Sequence, residues 1–213
     1  MIVTAVERKR RGRKVDVYVD GEFALQIGRE LAVERDVRPG RTLITAELAS
    51  LREAEARRSA VESALRLLSY RPRSERELKQ RLFRKGFSSR VVQATLARMR
   101  ELGYLDDAAF ARFWTEARQA AHSSSQWLLR GELRRRGIAP ETAEEVTEGI
   151  SDEEAAYEAA RRRLRAFDGL EYQEFRERLG AFLTRRGFSY GVARRTIDRC
   201  WAAREGMDGE EDG

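Results

Sequence analysis

The side chains best suited to making and breaking bonds are scarce in this 213-residue sequence, which holds one histidine, His122, and one cysteine, Cys200. No metal motif that needs a His pair or a Cys cluster can be assembled from them, and an intramolecular disulfide is excluded. His122 stands beside Ser123, Ser124 and Ser125, but a nucleophilic serine needs a positioned base and an oxyanion site, and no nucleophile-elbow pattern surrounds these residues. His122 therefore reads as a loop residue. P-loop and dinucleotide-type glycine turns are absent, and the pair Asp106-Asp107, just ahead of an apolar run, reads as a helix cap. No catalytic constellation emerges. The expectation is a protein that is not an enzyme and takes neither metal nor cofactor.

Recognition chemistry is better supplied. Against 36 Asp+Glu the chain carries 42 Lys+Arg, 38 of them Arg, whose planar fork pairs bidentately with phosphate or carboxylate. The formal net charge is +6, but residues 205–213 hold five acids and no base, so residues 1–204 carry +11. A polyanionic or acidic partner is the expected consequence. The bases cluster: six fall in the seven residues from Arg8 to Lys14, and others gather at Arg81-Arg84-Lys85, Arg130-Arg134-Arg135-Arg136, Arg161-Arg162-Arg163-Arg165, Arg185-Arg186 and Arg194-Arg195-Arg199. A base in the last turn of a helix also offsets the macrodipole and solvates the outer face, which accounts for any one of these residues but not for the total. Among the aromatics, Tyr104, Phe110, Phe113, Trp114 and Trp201 keep helical spacing with apolar neighbours and read as core. Trp127, after the three serines and near Arg130, is the one placed to stack on a base or dock in a partner.

The elements that must position these groups fall into two styles. Val15, Val17 and Val19, then Phe23, Leu25 and Ile27, alternate with polar or small residues on either side of Asp20-Gly21, the pattern of two half-buried strands joined by a two-residue hairpin. With Val3-Thr4-Ala5-Val6 they predict a three-stranded sheet. A short helix over 29–37, a turn at Pro39-Gly40 and a long helix capped by Thr45 and running towards Tyr70 follow. Beyond that the chain repeats. ELKQRLFRKGF (77–87), LLRGELRRRGI (128–138) and RLGAFLTRRGF (178–188) superpose Leu78/Leu129/Leu179, Leu82/Leu133/Leu183 and Gly86/Gly137/Gly187, at spacings of 51 and 50 residues. Each copy presents an apolar helix face, then a glycine where the left-handed position after a helix needs no Cβ. Arg84, Arg135 and Arg185, and with them Lys85, Arg136 and Arg186, precede that glycine. Ser74 with Glu77 and Ser151 with Glu154 have capping-box spacing, and Pro140 suits a first helical turn.

The predicted fold is mainly α. Residues 1–44 form a β-rich extension, three tandem three-helix bundles span 45–105, 106–150 and 151–204, and 205–213 is a flexible acidic tail. Stacked repeats of this size make an elongated, curved array of roughly 60–80 Å. No signal peptide or membrane span is visible, so a cytoplasmic monomer is expected.

The combination RSEREL (73–78), Leu82, Lys85-Gly86-Phe87, LGYLDDAAFA (102–111), Arg118 and ELRRRGI (132–138) resembles the recombination regulator RecX, a bacterial family of tandem three-helix repeats. The likeness covers about residues 59–204, and the segment before residue 45 is similar to an extension of some longer members. The resemblance implies a non-enzymatic regulator of homologous recombination, DNA repair and the SOS response. Such a protein binds in the groove of the RecA filament on single-stranded DNA and inhibits the ATPase, strand-exchange and co-protease activities of RecA. Contact candidates are Arg73, Arg84, Lys85, Arg118, Trp127, Arg130, Arg134, Arg135, Arg185 and Arg186. Family members often carry a Gly-rich turn where this chain has Ser123-Ser124-Ser125, which implies a less sharply bent junction. A direct single- or double-stranded DNA-binding helical repeat protein stays open as the alternative.

Overall fold

At the Asp20-Gly21 hairpin both central residues take positive φ, 50° and 87°, and the strands β2 (Lys14–Val19) and β3 (Glu22–Gly28) pair across it. In this computed structural model, which describes residues 1–8 and 12–208 of the chain, β1 (Val3–Arg8) adds antiparallel to β2 and gives the order β1-β2-β3. The register sets Val15 opposite Ile27 and Val17 opposite Leu25, so these side chains share one face. That face is covered by α1 (Arg29–Glu34) and by Leu48 and Leu51 in the first turns of α2 (Thr45–Tyr70). Glu55 ties α2 to the sheet, its carboxylate meeting Lys14 Nζ at 2.8 Å, the Gly28 N–H at 2.8 Å and Ser59 Oγ at 2.8 Å. Of the basic loop 8–14, residues 9–11 lie outside the described residues, as do residues 209–213 of the acidic segment.

Thr45 is not the cap of α2. It is the first helical residue, and the N-cap position falls on Ile44, whose N–H donates to Glu47 Oε2 at 2.9 Å. A carboxylate reaching back from the third helical residue does the work that a capping hydroxyl would have done.

The helices that follow are α3 (Glu75–Arg84), α4 (Ser89–Glu101), α5 (Asp107–His122), α6 (Gln126–Arg135), α7 (Pro140–Glu145), α8 (Asp152–Arg161), α9 (Tyr172–Arg185) and α10 (Tyr190–Asp208), with a 3₁₀ turn at Leu164–Phe167. In the repeat, Leu78, Leu129 and Leu179, and Leu82, Leu133 and Leu183, are all fully buried. Gly86, Gly137 and Gly187 have φ of 85°, 86° and 82°, as helix termination by a left-handed residue requires. Ser88, Asp106, Ser125 and Ser151 cap α4, α5, α6 and α8 through their side-chain oxygens, and Pro140 occupies the first turn of α7. Tertiary contacts group residues 1–71 with 78–105 as one compact unit, and 72–77 with 106 onward as a second.

Three sequence expectations change here. Tyr104, 58 % exposed, follows the left-handed Gly103 out of α4, and Phe113 is 45 % exposed. At 100° per residue Phe113 points about 130° away from the centre of the face that buries Phe110, Ala111 and Thr115. His122 is the last residue of α5 rather than a loop residue. The serines after it are buried, and the turn is made at Ser123 with φ 39°, the left-handed backbone that a glycine would adopt freely.

Candidate recognition surface

The side chains available for recognition are those left over once successive helices have been joined, so the joints come first. Ser74 Oγ donates to the Arg136 carbonyl at 2.7 Å and accepts from the Glu77 N–H at 3.2 Å, while the Glu75 N–H donates to Asp107 Oδ1 at 2.7 Å. The pattern recurs further along the chain. The Ser125 N–H donates to the Arg186 carbonyl at 3.2 Å, Ser125 Oγ accepts from the Leu128 N–H at 3.2 Å, and the Gln126 N–H donates to Asp152 Oδ1 at 2.8 Å. All of these residues lie in the second unit. In each joint the start of one helix is satisfied by the helix end and the first-turn aspartate of the next copy. Burial, partly opposed by the Glu75 N–H, pushes the Asp107 carboxyl above its ordinary range.

The glycines register the same joints. A Cβ on Gly137 would lie 2.6 Å from both Cβ and Cδ of Arg76, and one on Gly187 would lie 2.6 Å from Ser125 Oγ and 2.9 Å from Leu128 Cβ. Around Gly86, by contrast, a Cβ would meet nothing within 4 Å.

Of the residues singled out by sequence, Arg84, Lys85, Arg134, Arg135 and Arg185 are exposed. Arg73 is half-buried and has a partner within the fold. Arg118 grips Glu132 through both Nε and Nη2, and Glu132 also accepts from Trp114 Nε1 at 2.9 Å. Arg130 donates to Thr147 Oγ1 and Gln126 Oε1, each at 2.7 Å. Arg186 donates to the carbonyls of His122 and Ser123. The matched pair before the glycine therefore splits. Arg84, Arg135 and Arg185 all face solvent, whereas Lys85 is exposed but Arg136 lies over the Trp114 ring, with Cζ 3.5 Å from its centroid, and Arg186 over Phe182. Glu132, Thr147 and Gln126, which hold these guanidinium groups, are what sequence reasoning missed. Glu132 opens the ELRRRGI motif four residues before Arg136, on the same helix face, and that spacing was the available signal.

Three of the candidates come together. Trp127, 67 % exposed, lines an open groove of about 670 Å³ with Arg130, Arg134, Pro140, Glu144 and Glu153. Its walls are of mixed charge, Glu153 being paired with Arg195 at 2.7 Å. An indole beside both signs of charge and a proline suits the side chains of a protein surface better than a uniformly anionic ligand. Arg73, Arg84, Lys85, Arg135 and Arg185 do not line it. Among the described residues no group of three or more His, Cys, Asp or Glu is placed to hold a metal ion. Burial pushes the thiol of Cys200 up to about 11.

Comparison with known proteins fits this serial architecture. Family models for the first, second and third three-helix domains of RecX match residues 60–99, 106–146 and 151–197. The chain belongs to the RecX family. It is 37% identical to the regulatory protein RecX of Thermobifida fusca over 136 residues, covering 62% of this chain and 74% of the relative. With that of Amycolatopsis mediterranei the identity is 34% over 148 residues, covering 68% and 85%. With that of Bacillus subtilis it is 25% over 195 residues, covering 90% and 74%. A crystal structure of regulatory protein RecX superposes with a TM-score of 0.68 at 20% identity, over 92% of this chain and 98% of that one. RecX from Lactobacillus salivarius gives 0.61 at 17%, over 68% and 97%. The RecX fold is thus present as three three-helix domains, preceded by the three-stranded antiparallel sheet. The relatives are named regulatory proteins, and no helix among the described residues is long and apolar enough to cross a membrane.

Proposed function

We propose that this RecX-family chain is a cytoplasmic, non-enzymatic regulator of homologous recombination and DNA repair, including the SOS response. It acts as a monomer in the groove of the RecA filament and inhibits ATPase, strand exchange and co-protease activity. Family membership supports the reading, and the groove at Trp127 is the observation that carries it, because a large exposed indole flanked by Arg134 and Glu144 is the anatomy of a protein-docking hot spot. In this assignment Trp127, Arg134, Arg135, Arg84, Lys85 and Arg185 make the contacts. Arg73, Arg118, Arg130 and Arg186 hold the frame behind them. The working segments are the extension 1–44, the bundles 45–105, 106–150 and 151–204, and the acidic tail 205–213.

The test is RecA's DNA-dependent ATPase and filament lifetime at near-physiological salt. The intact chain lowers both, and Trp127→Ala raises the concentration needed by about 30-fold, the size of a hot-spot loss of about 2 kcal/mol. An intact chain that leaves both unchanged overturns the proposal. The formal +11 of residues 1–204 favours one second reading, direct binding of single- or double-stranded DNA, in which any effect on RecA is competition. Tighter binding to bare DNA than to a preformed filament would select it.

A further inference from the structure

Four guanidinium groups gather at the C-terminal end of α5. Arg162 Nη1 donates to the Ala120 carbonyl at 3.1 Å, and Arg186 Nη1 donates to the carbonyls of His122 and, at 3.4 Å, Ser123. Arg163 and Arg186 share the Phe182 ring, their Cζ atoms 5.1 and 4.7 Å from its centroid. Arg118 lies one turn back along α5, held by Glu132. Among the described residues, the ion pairs at this place leave much of the positive charge unmatched. Glu132 offers one negative charge, the end of α5 contributes about half a charge, and Glu158 is engaged by Arg161 at 3.5 Å. About two and a half positive charges are left over in one place by that reckoning. The crowding is felt within the cluster: burial first, then the charges of Arg163, Arg118 and Arg162, pull the Arg186 guanidinium below its usual basicity.

Carbonyls at a helix end account for one arginine there, as they do for many isolated helices. They do not account for four, two of which, Arg162 and Arg163, keep exposed side chains. Planar forks converging with few carboxylates among them match the geometry in which proteins hold phosphate. We infer that Arg162 and Arg163, backed by Arg186 and Arg118, form a phosphate-binding site at the end of α5, distinct from the Trp127 groove. The phosphate comes either from a nucleic-acid backbone or from a free polyphosphate such as a nucleotide. The site neither requires RecA nor depends on the RecA reading, so its test uses the purified full chain alone.

The probes are inorganic pyrophosphate, ATP without metal, and a fluorescent dT20 oligonucleotide. Binding is read as a rise in thermal midpoint for the first two and as anisotropy across a salt series for the third. Arg162→Gln/Arg163→Gln is compared with Arg98→Gln/Arg178→Gln, which removes the same charge from two exposed ion pairs elsewhere. For a backbone site, the first variant loses at least tenfold in dT20 affinity, and its slope of log affinity against log salt falls by about 0.7 for each phosphate no longer neutralised. The control stays within twofold. Stabilisation by pyrophosphate and ATP that disappears in the first variant, with dT20 binding unchanged, assigns the site to free polyphosphate. Equal losses in both variants, or no loss in either, overturn the inference. Arg162→Lys/Arg163→Lys retains the charge and guards against misfolding. It restores the salt slope and part of the affinity, because an ammonium neutralises a phosphate without the bidentate fork, and a salt slope no steeper than that of the glutamine variant counts against the site.

Discussion

Three glycines at one repeat position make a controlled experiment on what joins the helical copies. Gly86, Gly137 and Gly187 share a left-handed backbone with φ between 82° and 86°, so alanine at any of them incurs the same strain of about 1–2 kcal/mol. About 0.4–1 kcal/mol of that is offset by the stiffer unfolded chain. The surroundings differ. At Gly86 the new methyl meets open space, and the net cost stays near 1 kcal/mol. At Gly137 it meets Arg76, whose Cδ can swing away but whose Cβ cannot. At Gly187 it meets Ser125 Oγ, Leu128 Cβ and Trp127 Cε3, at 2.6, 2.9 and 3.2 Å. Displacing Ser125 Oγ also loosens the cap on the Leu128 N–H. Overpacking of this kind costs about 1–3 kcal/mol and removal of a cap about 1 kcal/mol. The order of destabilisation is therefore Gly187→Ala, then Gly137→Ala, then Gly86→Ala. Trp114, Trp127 and Trp201 all belong to the second unit, so tryptophan fluorescence follows that unit alone while far-UV circular dichroism follows the whole chain. Gly187→Ala costs about 3–5 kcal/mol in all and lowers the fluorescence-detected thermal midpoint by roughly 12–40 °C, at about 4–8 °C for each kcal/mol in a small domain. Gly86→Ala shifts only the dichroism signal, and slightly. Equal shifts in all three variants would show that backbone strain alone sets the cost and that the joint contacts carry no weight.

Two further predictions concern carboxylates. Burial raises the pKa of Glu55, but Lys14, the Gly28 N–H and Ser59 together outweigh it and leave the folded value below 4.5. Its stabilisation is therefore present above 4.5 and is lost as pH falls through the lowered folded value. Glu55→Gln, which keeps the shape and drops the charge facing Lys14, destabilises the first unit by about 1.5–3 kcal/mol, read as faster amide exchange in β3; unchanged exchange would refute the role. Asp107 has the opposite sign. Burial raises its folded value above the ordinary 3.8, so the folded state holds the proton more tightly and stability declines as pH rises from 3.8 through the raised value. Asp107→Asn keeps an acceptor for the Glu75 N–H and flattens that decline, raising the urea midpoint at pH 7; a lower midpoint at pH 7 would count against the reading.

The helical repeat was legible because each copy buries its own face. Leucines spaced by four and a glycine behind them report on contacts within one bundle, and every such residue fell where periodicity put it. The hairpin was legible for a similar local reason, since Asp20-Gly21 names its own turn. The fate of individual arginines was not. Lys85, Arg136 and Arg186 occupy one repeat position, yet the first is exposed while the other two lie over aromatic rings. Each ring belongs to the arginine's own bundle, Trp114 on α5 and Phe182 on α9, so the difference is set by whether that bundle presents a ring at this place, which the leucine and glycine periodicity does not encode. The serines are the junction between α5 and α6 that the sequence reading expects, but their burial was not legible. Ser125 is fully buried in that junction, its N–H and hydroxyl serving two helix ends at once.

The joint also explains why charge alone is a poor guide to the recognition surface. A basic residue just before the glycine has two independent groups to place: its carbonyl can accept from the preceding copy, while its side chain meets solvent or an aromatic ring of its own bundle. The carbonyls of Arg136 and Arg186 accept from Ser74 and Ser125, and their guanidinium groups lie over Trp114 and Phe182. The third copy breaks the rule. The position equivalent to Ser74 and Ser125 is Phe175, buried against Phe167 and Trp201 with ring centroids 6.0 and 5.3 Å away. A phenyl ring offers neither hydroxyl nor acceptor, so the third copy cannot make the serine contact with another helix end. Arg84, Lys85, Arg134, Arg135 and Arg185 stay exposed, and a scan that ranked arginines by charge density alone would overlook that Arg118, Arg130 and Arg186 also hold the fold.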